Sequence, residues 1–254
     1  MLNSLVPSKS RVLSFILASR THAYAYVYVP KAACSTTKLA LWIAERELSP
    51  AVGSIDQPMS IHARQYSDDS PWLTPASADY QALLDQKFLA PIFLFSFVRN
   101  SYSRVYSGYR NKILGIGKGV DRIDYFPELG WRRSSPPSFE DFLKIIRDQD
   151  PLLRNEHWRT ITDLICFDEV SYDKIYKIES FSKDFAELLP QIFPTKLGLA
   201  CELVHINDTR SSEHRQSAYT AKAIDIVKDI YEKDFTNFDY FADVDAADPQ
   251  HTSL

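Results

Sequence analysis

The sequence predicts an α/β fold of three layers, with helices on both faces of a central, mainly parallel sheet. Two continuous apolar runs, at 23–29 and 92–98, are typical of strands that are buried on both faces. Each run is followed by apolar residues at helical spacing, with Ser35 and Ser101 placed to cap the two helices. Two strand–turn–helix units favour parallel pairing of their strands, because a crossover helix returns the chain to the same end of the sheet.

The other elements continue this alternation of strands and helices. In chain order, the pattern predicts a mostly irregular connection at 49–80, a loop at 115–137, a helix behind the capping pair Ser138 and Asp141, short strands at 163–167 and 174–178, and helices at 182–193 and 218–235.

Composition limits the classes of function. A chain of 254 residues, 45% of them hydrophobic, can bury the core of one sizeable domain over 1–254. A net charge of −4 gives no global positive field, so general nucleic-acid binding is not expected and an anion site must be built locally. The three cysteines form neither an even set nor a metal-ligand spacing, which favours a reducing compartment and predicts a cytoplasmic protein.

The N-terminal segment at 11–20 is the one candidate for a targeting signal. Its apolar run is far shorter than the roughly 20 residues that cross a bilayer, so no transmembrane segment is expected. We interpret it as an N-terminal helix or strand, with the core of a signal peptide as the alternative.

The stretch "PKAACSTTK" at 30–38 joins the first strand to the first helix and contains no glycine. In a nucleotide-binding P-loop, the lysine comes near the end of the loop and the hydroxyl after it holds magnesium. Here Lys31 comes first and Ser35, Thr36 and Thr37 come last, so neither an ATPase nor a metal is implied. The small residues and the helix start still suit an anion, over which Lys31 can reach.

This loop and the later stretch "FSFVRNSYSRVYSGYRNK" resemble the two binding motifs of sulfotransferases that use 3′-phosphoadenosine 5′-phosphosulfate (PAPS), in particular the carbohydrate sulfotransferases. Segments at 155–168, 172–181 and 230–241 are also similar to that family. The resemblance covers about residues 22–241 and implies the sulfotransferase fold, which is P-loop-like. Thr160 and Ile161 stand where the family commonly has Pro-Gln, a departure that concerns the acceptor side more than the donor side.

The resemblance implies a role for several residues. Lys31 would bind the 5′-phosphosulfate and neutralise charge on the bridging oxygen, while Arg99 and Ser107 would hold the 3′-phosphate. The wider set expected to contact the donor comprises Ala33, Cys34, Ser35, Thr36, Thr37 and Arg210, although a surface position for Arg210 is an equal alternative. Cys34 is expected to be a small packing group, since the resemblance implies direct transfer without a covalent enzyme intermediate.

A general base is needed because an acceptor hydroxyl is barely ionised at neutral pH. His62 is the first candidate, because the resemblance implies a catalytic histidine in the loop that follows the first helix. His157 is the second, with a carboxylate such as Glu179 as the remaining option. His157 and Trp158 are also candidates for contact with the acceptor. Trp72, Trp131 and Trp158 could offer flat faces to a sugar ring, with buried packing as the alternative for each.

The predicted function is transfer of a sulfuryl group from PAPS to an acceptor hydroxyl, expected on a carbohydrate, without a metal. Two alternatives stay open at this point. One is a small-molecule kinase with a degenerate P-loop, and the other is a nucleotide-bisphosphate-binding protein that has lost catalysis. Binding of adenosine 3′,5′-bisphosphate, or of ATP with magnesium, would separate them.

Overall fold

A computed structural model describes residues 13–46, 58–68, 70–74, 92–116, 135–193 and 215–242. Trp131 and Arg210, two residues singled out from the sequence, lie outside these ranges. The described strands and α-helices, in chain order, are β1 (Ile16–Ser19), β2 (Tyr24–Val27), α1 (Cys34–Glu45), α2 (Pro58–Arg64), β3 (Trp72–Leu73), β4 (Phe93–Val98), α3 (Ser101–Gly108), α4 (Phe139–Asp148), α5 (Ile161–Leu164), β5 (Lys174–Lys177), α6 (Phe181–Ile192), α7 (Arg215–Ala218) and α8 (Ala221–Asn237).

The described strands form one sheet in the order β3-β1-β2-β4-β5. β4 pairs in parallel with β2 and with β5, whereas β1 pairs antiparallel with β2 and with β3. The α/β class is confirmed, but the sheet is mixed. The reason is local: residues 20–23 are too few for the crossover that a parallel pair needs, so β1 and β2 must form a hairpin.

The two strands identified from continuous apolar runs lie in the middle of the sheet. All four residues of β2 have no exposed surface, and β4 is buried from Leu94 onward. Aromatic side chains stack across neighbouring strands, with ring centroids 5.2 Å apart both for Tyr26 with Phe95 and for Phe97 with Tyr176. A central strand is covered on both faces, so its side chains are buried at successive positions, as the continuous apolar runs predicted.

Packing divides the chain into two compact units, residues 1–98 with 164–206 and residues 99–163 with 207–254. The first unit contains the sheet together with α1, α2 and α6, and its core is largely aromatic. The second unit is helical, and Trp158, Phe142 and Tyr231 lie in its core. The single domain over 1–254 stays a prediction.

Several local predictions need correction. The stretch at 163–167 is not a strand: α5 ends at Leu164 and a turn follows. The buried carboxylate of Asp234 accepts hydrogen bonds from the backbone N–H groups of Ile161 and Thr162, both at 2.8 Å, and so caps α5 from another helix. The mostly irregular connection at 49–80 contains two short elements, α2 and β3, among its described residues, and neither was predicted.

The caps of two other helices were predicted with different success. Ser138 caps α4 as predicted, accepting from the Asp141 N–H at 3.1 Å and donating to the Asp141 carboxylate at 2.7 Å. For α3, the cap is Asn100 rather than Ser101, because the Asn100 side chain accepts from the Tyr102 N–H at 2.9 Å. Asparagine and serine are comparable caps, so only the bond itself distinguishes them.

Candidate functional site

The turn between β2 and α1 adopts left-handed backbone conformations, as glycine-rich P-loops do, although it contains no glycine. Lys31 has φ 69° and Ala33 has φ 51°, both in the left-handed region that non-glycine residues seldom occupy. Such residues persist where the surrounding structure holds them, and they cluster at ligand-binding loops. Left-handed residues in a turn also form the concave backbone arrangements that bind anions.

The first turn of α1 starts at this loop and is not capped by a side chain. Its N-cap is Ala33, which has no oxygen to accept from the N–H groups that begin the helix. The predicted capping role of Ser35 is therefore wrong, because Ser35 lies inside the first turn. A helix start with an alanine cap leaves its dipole and amide donors to an anion.

His62 reaches this turn from α2, 24 residues further along the chain than Lys38. Its Nε2 atom lies 2.8 Å from Ser35 Oγ, and its Nδ1 atom lies 3.3 Å from Lys38 Nζ. The structure thus brings the predicted base into hydrogen-bonding contact with a predicted donor-binding residue. His62 lies in a helix rather than in the loop expected for it.

Lys38 is the functional residue that the sequence analysis missed. Its side chain is fully buried, and Nζ lies 3.2 Å from the centroid of the Tyr28 ring, a cation–π distance. Burial lowers the pKa of Lys38 to about 8, although the neighbouring Cys34 acts in the opposite direction. One signal was present in the sequence: Lys38 is followed by the apolar run "LALWIA", which marks a lysine at the start of a buried helix.

The pKa of the Cys34 thiol reflects the positive charge around the loop. Burial raises the pKa of its thiol, but the hydrogen bond from His62 and the positive charges of Lys38, His62 and Lys31 outweigh it and lower the pKa to about 6. Cys34 is therefore more than the packing group expected from the sequence. A site that ionises a thiol at neutral pH also favours other anions.

The other predicted donor-binding segment belongs to the second unit. Arg99 directly follows β4 and is partly exposed, and Ser107 is 3% exposed on α3. A π-helical turn at Tyr109–Ile113 continues α3, a feature that is frequent at functional sites. Arg110, which lies in this π-helical turn, is buried.

Two tryptophans that were candidates for contact with a sugar ring are buried. Trp158 has no exposed surface and packs edge-on against Phe142 at 5.3 Å, which argues against the predicted contact with a sugar ring. Trp72 is likewise buried, and its indole N–H donates to Tyr24 Oη at 3.0 Å. Burial is the usual environment of tryptophan, and it was the stated alternative for both.

His157 is held by its own segment. Asn155 Oδ1 lies 3.0 Å from the His157 backbone N–H and 2.7 Å from its Nδ1 atom. Because the backbone N–H can only donate, the amide oxygen must face His157, and Nδ1 carries the ring proton. His157 stays a prediction as the second candidate base and as an acceptor-binding residue.

The described ranges contain no cluster of three or more His, Cys, Asp or Glu side chains arranged to hold a metal ion. Within them, no helix combines the length and the apolar character needed to cross a membrane.

Comparison with known proteins identifies related sequences. A model of the sulfotransferase family matches residues 15–241. Carbohydrate sulfotransferase 14 of Homo sapiens is 29% identical over 191 residues, covering 72% of this chain and 48% of that protein. The Danio rerio protein of that name is 29% identical over 200 residues, 74% of this chain and 51% of its own length.

A third relative aligns over more of both chains. Carbohydrate sulfotransferase 11 of Mus musculus is 24% identical over 272 residues, covering 94% of this chain and 72% of that protein. The chain spans about half the length of the carbohydrate sulfotransferase 14 proteins. No solved structure matches it.

Proposed function

We propose that this chain, which belongs to the sulfotransferase family, transfers the sulfuryl group of PAPS to a hydroxyl group of a carbohydrate. The observation that carries the proposal is the contact between the cationic loop after β2 and a histidine placed to act as a base. The names of the relatives, all carbohydrate sulfotransferases, support a carbohydrate as the acceptor.

The residues of the loop fit the charge of the donor. When bound, PAPS supplies a sulfuryl group on a phosphate that leaves with negative charge. The left-handed turn at Lys31 and Ala33, the uncapped start of α1 and the charge that ionises Cys34 all favour such a group. We assign the 5′-phosphosulfate to this loop, with Ala33, Cys34, Ser35, Thr36 and Thr37 around it and Lys31 stabilising the leaving phosphate.

His62 is the residue that we assign as general base. An imidazole has an ordinary pKa of about 6.5, so near neutral pH it can hold a proton taken from a hydroxyl group. Its Nε2 atom, which faces Ser35 Oγ at 2.8 Å, is the atom that would take the proton of the acceptor. The contact with a loop residue supports the choice of His62 over His157.

Arg99 and Ser107 keep their predicted role at the 3′-phosphate. The planar guanidinium of arginine can bind a phosphate through two parallel hydrogen bonds, and Arg99 follows the carboxyl end of a parallel strand, where ligands bind in open α/β sheets. Arg210, and a location in the cytoplasm, also stay predictions. Cell fractionation tests the second of these.

Incubation with PAPS carrying ³⁵S and a panel of glycans, phenols and steroids tests the function. We expect label in a glycan, no requirement for magnesium, and loss of transfer in His62→Ala. Label in phenols or steroids alone would overturn the carbohydrate acceptor. Binding of ATP with magnesium, without binding of adenosine 3′,5′-bisphosphate, would favour the kinase alternative, and binding of the bisphosphate without transfer to any acceptor would favour an inactive protein.

A further inference from the structure

The contact between Lys38 and His62 joins two basic nitrogens, and this limits how protons can be arranged there. Lys38 Nζ and His62 Nδ1 are 3.3 Å apart, while the other ring nitrogen lies 2.8 Å from Ser35 Oγ. Two nitrogen atoms at this distance are held together by one shared hydrogen atom, which one nitrogen donates and the other accepts. In a neutral imidazole, the nitrogen that donates and the nitrogen that accepts are always different.

We propose that Lys38 is a positioning residue that decides which ring nitrogen of His62 carries the proton. The inference rests on the proposed role of His62 as the base and adds the group that controls it. When Lys38 is an ammonium ion, Nζ donates to Nδ1 and the ring proton lies on Nε2, which then cannot accept one from an acceptor. When Lys38 is a neutral amine, Nζ has a lone pair that can accept a hydrogen bond, so the ring proton can lie on Nδ1 and donate to Nζ, and Nε2 then presents a lone pair.

The amine form also gives the transferred proton a destination. In the proposed transfer, the acceptor oxygen would bond to sulfur while the bond from sulfur to the bridging oxygen of the leaving phosphate breaks. The O–H bond of the acceptor would break at the same time, and an Nε2–H bond would form on His62. The Nδ1–H bond of the ring can then break in favour of a new bond to Nζ, so that Lys38 ends as the ammonium ion. One proton enters at Nε2 and one leaves at Nδ1, and the ring is neutral before and after.

The environment of Lys38 makes the amine form accessible. The side chain is fully buried, and burial lowers its pKa to about 8, whereas the contact of its nitrogen with the Tyr28 ring favours the ammonium form. The described titratable groups around this cluster are Cys34 on α1, Lys31 in the loop, His62 on α2, and the Tyr28 and Tyr66 phenols. Ionised Cys34 raises the pKa of Lys38, and a bound phosphosulfate acts in the same direction, so that turnover would rise with pH at or above about 8.

A nitrogen-15 NMR titration of the histidine side chains tests the coupling directly, in the full chain without donor. The His62 signals are identified by their loss in His62→Ala. In the wild type, we expect Nδ1 to change from proton acceptor to proton carrier as pH rises through about 8. In Lys38→Met, whose unbranched side chain is one atom shorter and has no nitrogen, this change is expected to disappear. Lys183→Met, at an exposed position on α6, is the matched control and should behave as the wild type.

An identical His62 titration in the wild type and in Lys38→Met would overturn the proposal. This measurement needs no turnover, so it stands apart from the sulfuryl-transfer assay: loss of the proposed function leaves it valid, and a negative titration leaves the function untouched.

Turnover then separates control of the tautomer from a simple need for positive charge. Arginine is always protonated, so Lys38→Arg should hold Nδ1 as an acceptor and lower kcat about 100-fold at every pH, the lower end of the contribution of a general base. Lys38→Met should retain more activity than Lys38→Arg and lose the rise near pH 8. Higher activity in Lys38→Arg than in Lys38→Met would show that charge alone matters and would overturn the proposal. Melting curves establish that each variant folds, and if the arginine variant does not, the titration of Lys38→Met decides.

Discussion

The ionised thiol of Cys34 offers the sharpest test of the electrostatics of the loop. With a pKa of about 6, about nine-tenths of the thiol is ionised at pH 7, against about one-hundredth for a thiol with the ordinary value of 9.0. The gain in alkylation rate is much smaller than this ratio of about 90. A thiolate whose pKa is lower by about three units is intrinsically about 20-fold less nucleophilic, given a Brønsted slope of about 0.4–0.5.

The midpoint of the reaction against pH is therefore the quantity to measure, rather than the rate. Iodoacetamide labelling between pH 4.5 and 10, with the Cys34 peptide followed by mass spectrometry, should give a midpoint near 6. His62→Ala should raise the midpoint, because the hydrogen bond from His62 is the strongest of the effects that lower the pKa. Lys38→Met should raise it as well, since the charge of Lys38 is the next of these effects.

Ligand binding should move the same midpoint. A phosphate bound in the loop adds negative charge beside Cys34, so adenosine 3′,5′-bisphosphate should raise the thiol pKa and slow its labelling at pH 7. The Lys183→Met variant serves as a control for the lysine substitution. A wild-type midpoint near 9, or a midpoint that none of these changes moves, would refute the view of the loop as a cationic anion site.

Four further predictions address chemistry, binding and folding. His62→Ala should abolish sulfuryl transfer while leaving the affinity for adenosine 3′,5′-bisphosphate, measured by calorimetry, nearly unchanged; full activity would assign the base elsewhere, with His157 next to test. Arg99→Ala should weaken that affinity by roughly 1.5–3 kcal/mol, the scale of a hydrogen bond to a charged group, and the bisphosphate should raise the melting temperature of the wild type more than AMP does, without magnesium. Equal shifts with AMP would remove the 3′-phosphate assignment. Asp234→Ala should lower the free energy of unfolding by at least about 1–3 kcal/mol in urea titrations, because the α5 amides lose their buried acceptor; an unchanged midpoint would mean that the cap contributes little.

Local patterns were sufficient wherever the cause of a structure lies within a few residues. The strands β2 and β4 follow from continuous apolar runs, the helix α4 from a capping pair three residues apart, and the loop at 30–38 from its own residue types. The candidate anion site could be named from the sequence for the same reason, since its backbone and its cation are contiguous in the chain. The resemblance to sulfotransferases supplied the role of His62.

Tertiary structure determined what depends on residues far apart in sequence. The Asp234 carboxylate caps α5 across 73 positions, so the short apolar run at 163–167 gave no local sign that it was not a strand. The same holds at the site, where Lys38 and His62 are 24 residues apart and meet only because α1 and α2 pack together. From the sequence alone, Lys38 cannot be distinguished from an exposed lysine with an ordinary pKa. Burial and a neighbouring imidazole, neither of which is written into residues 30–38, make Lys38 the candidate that controls the base.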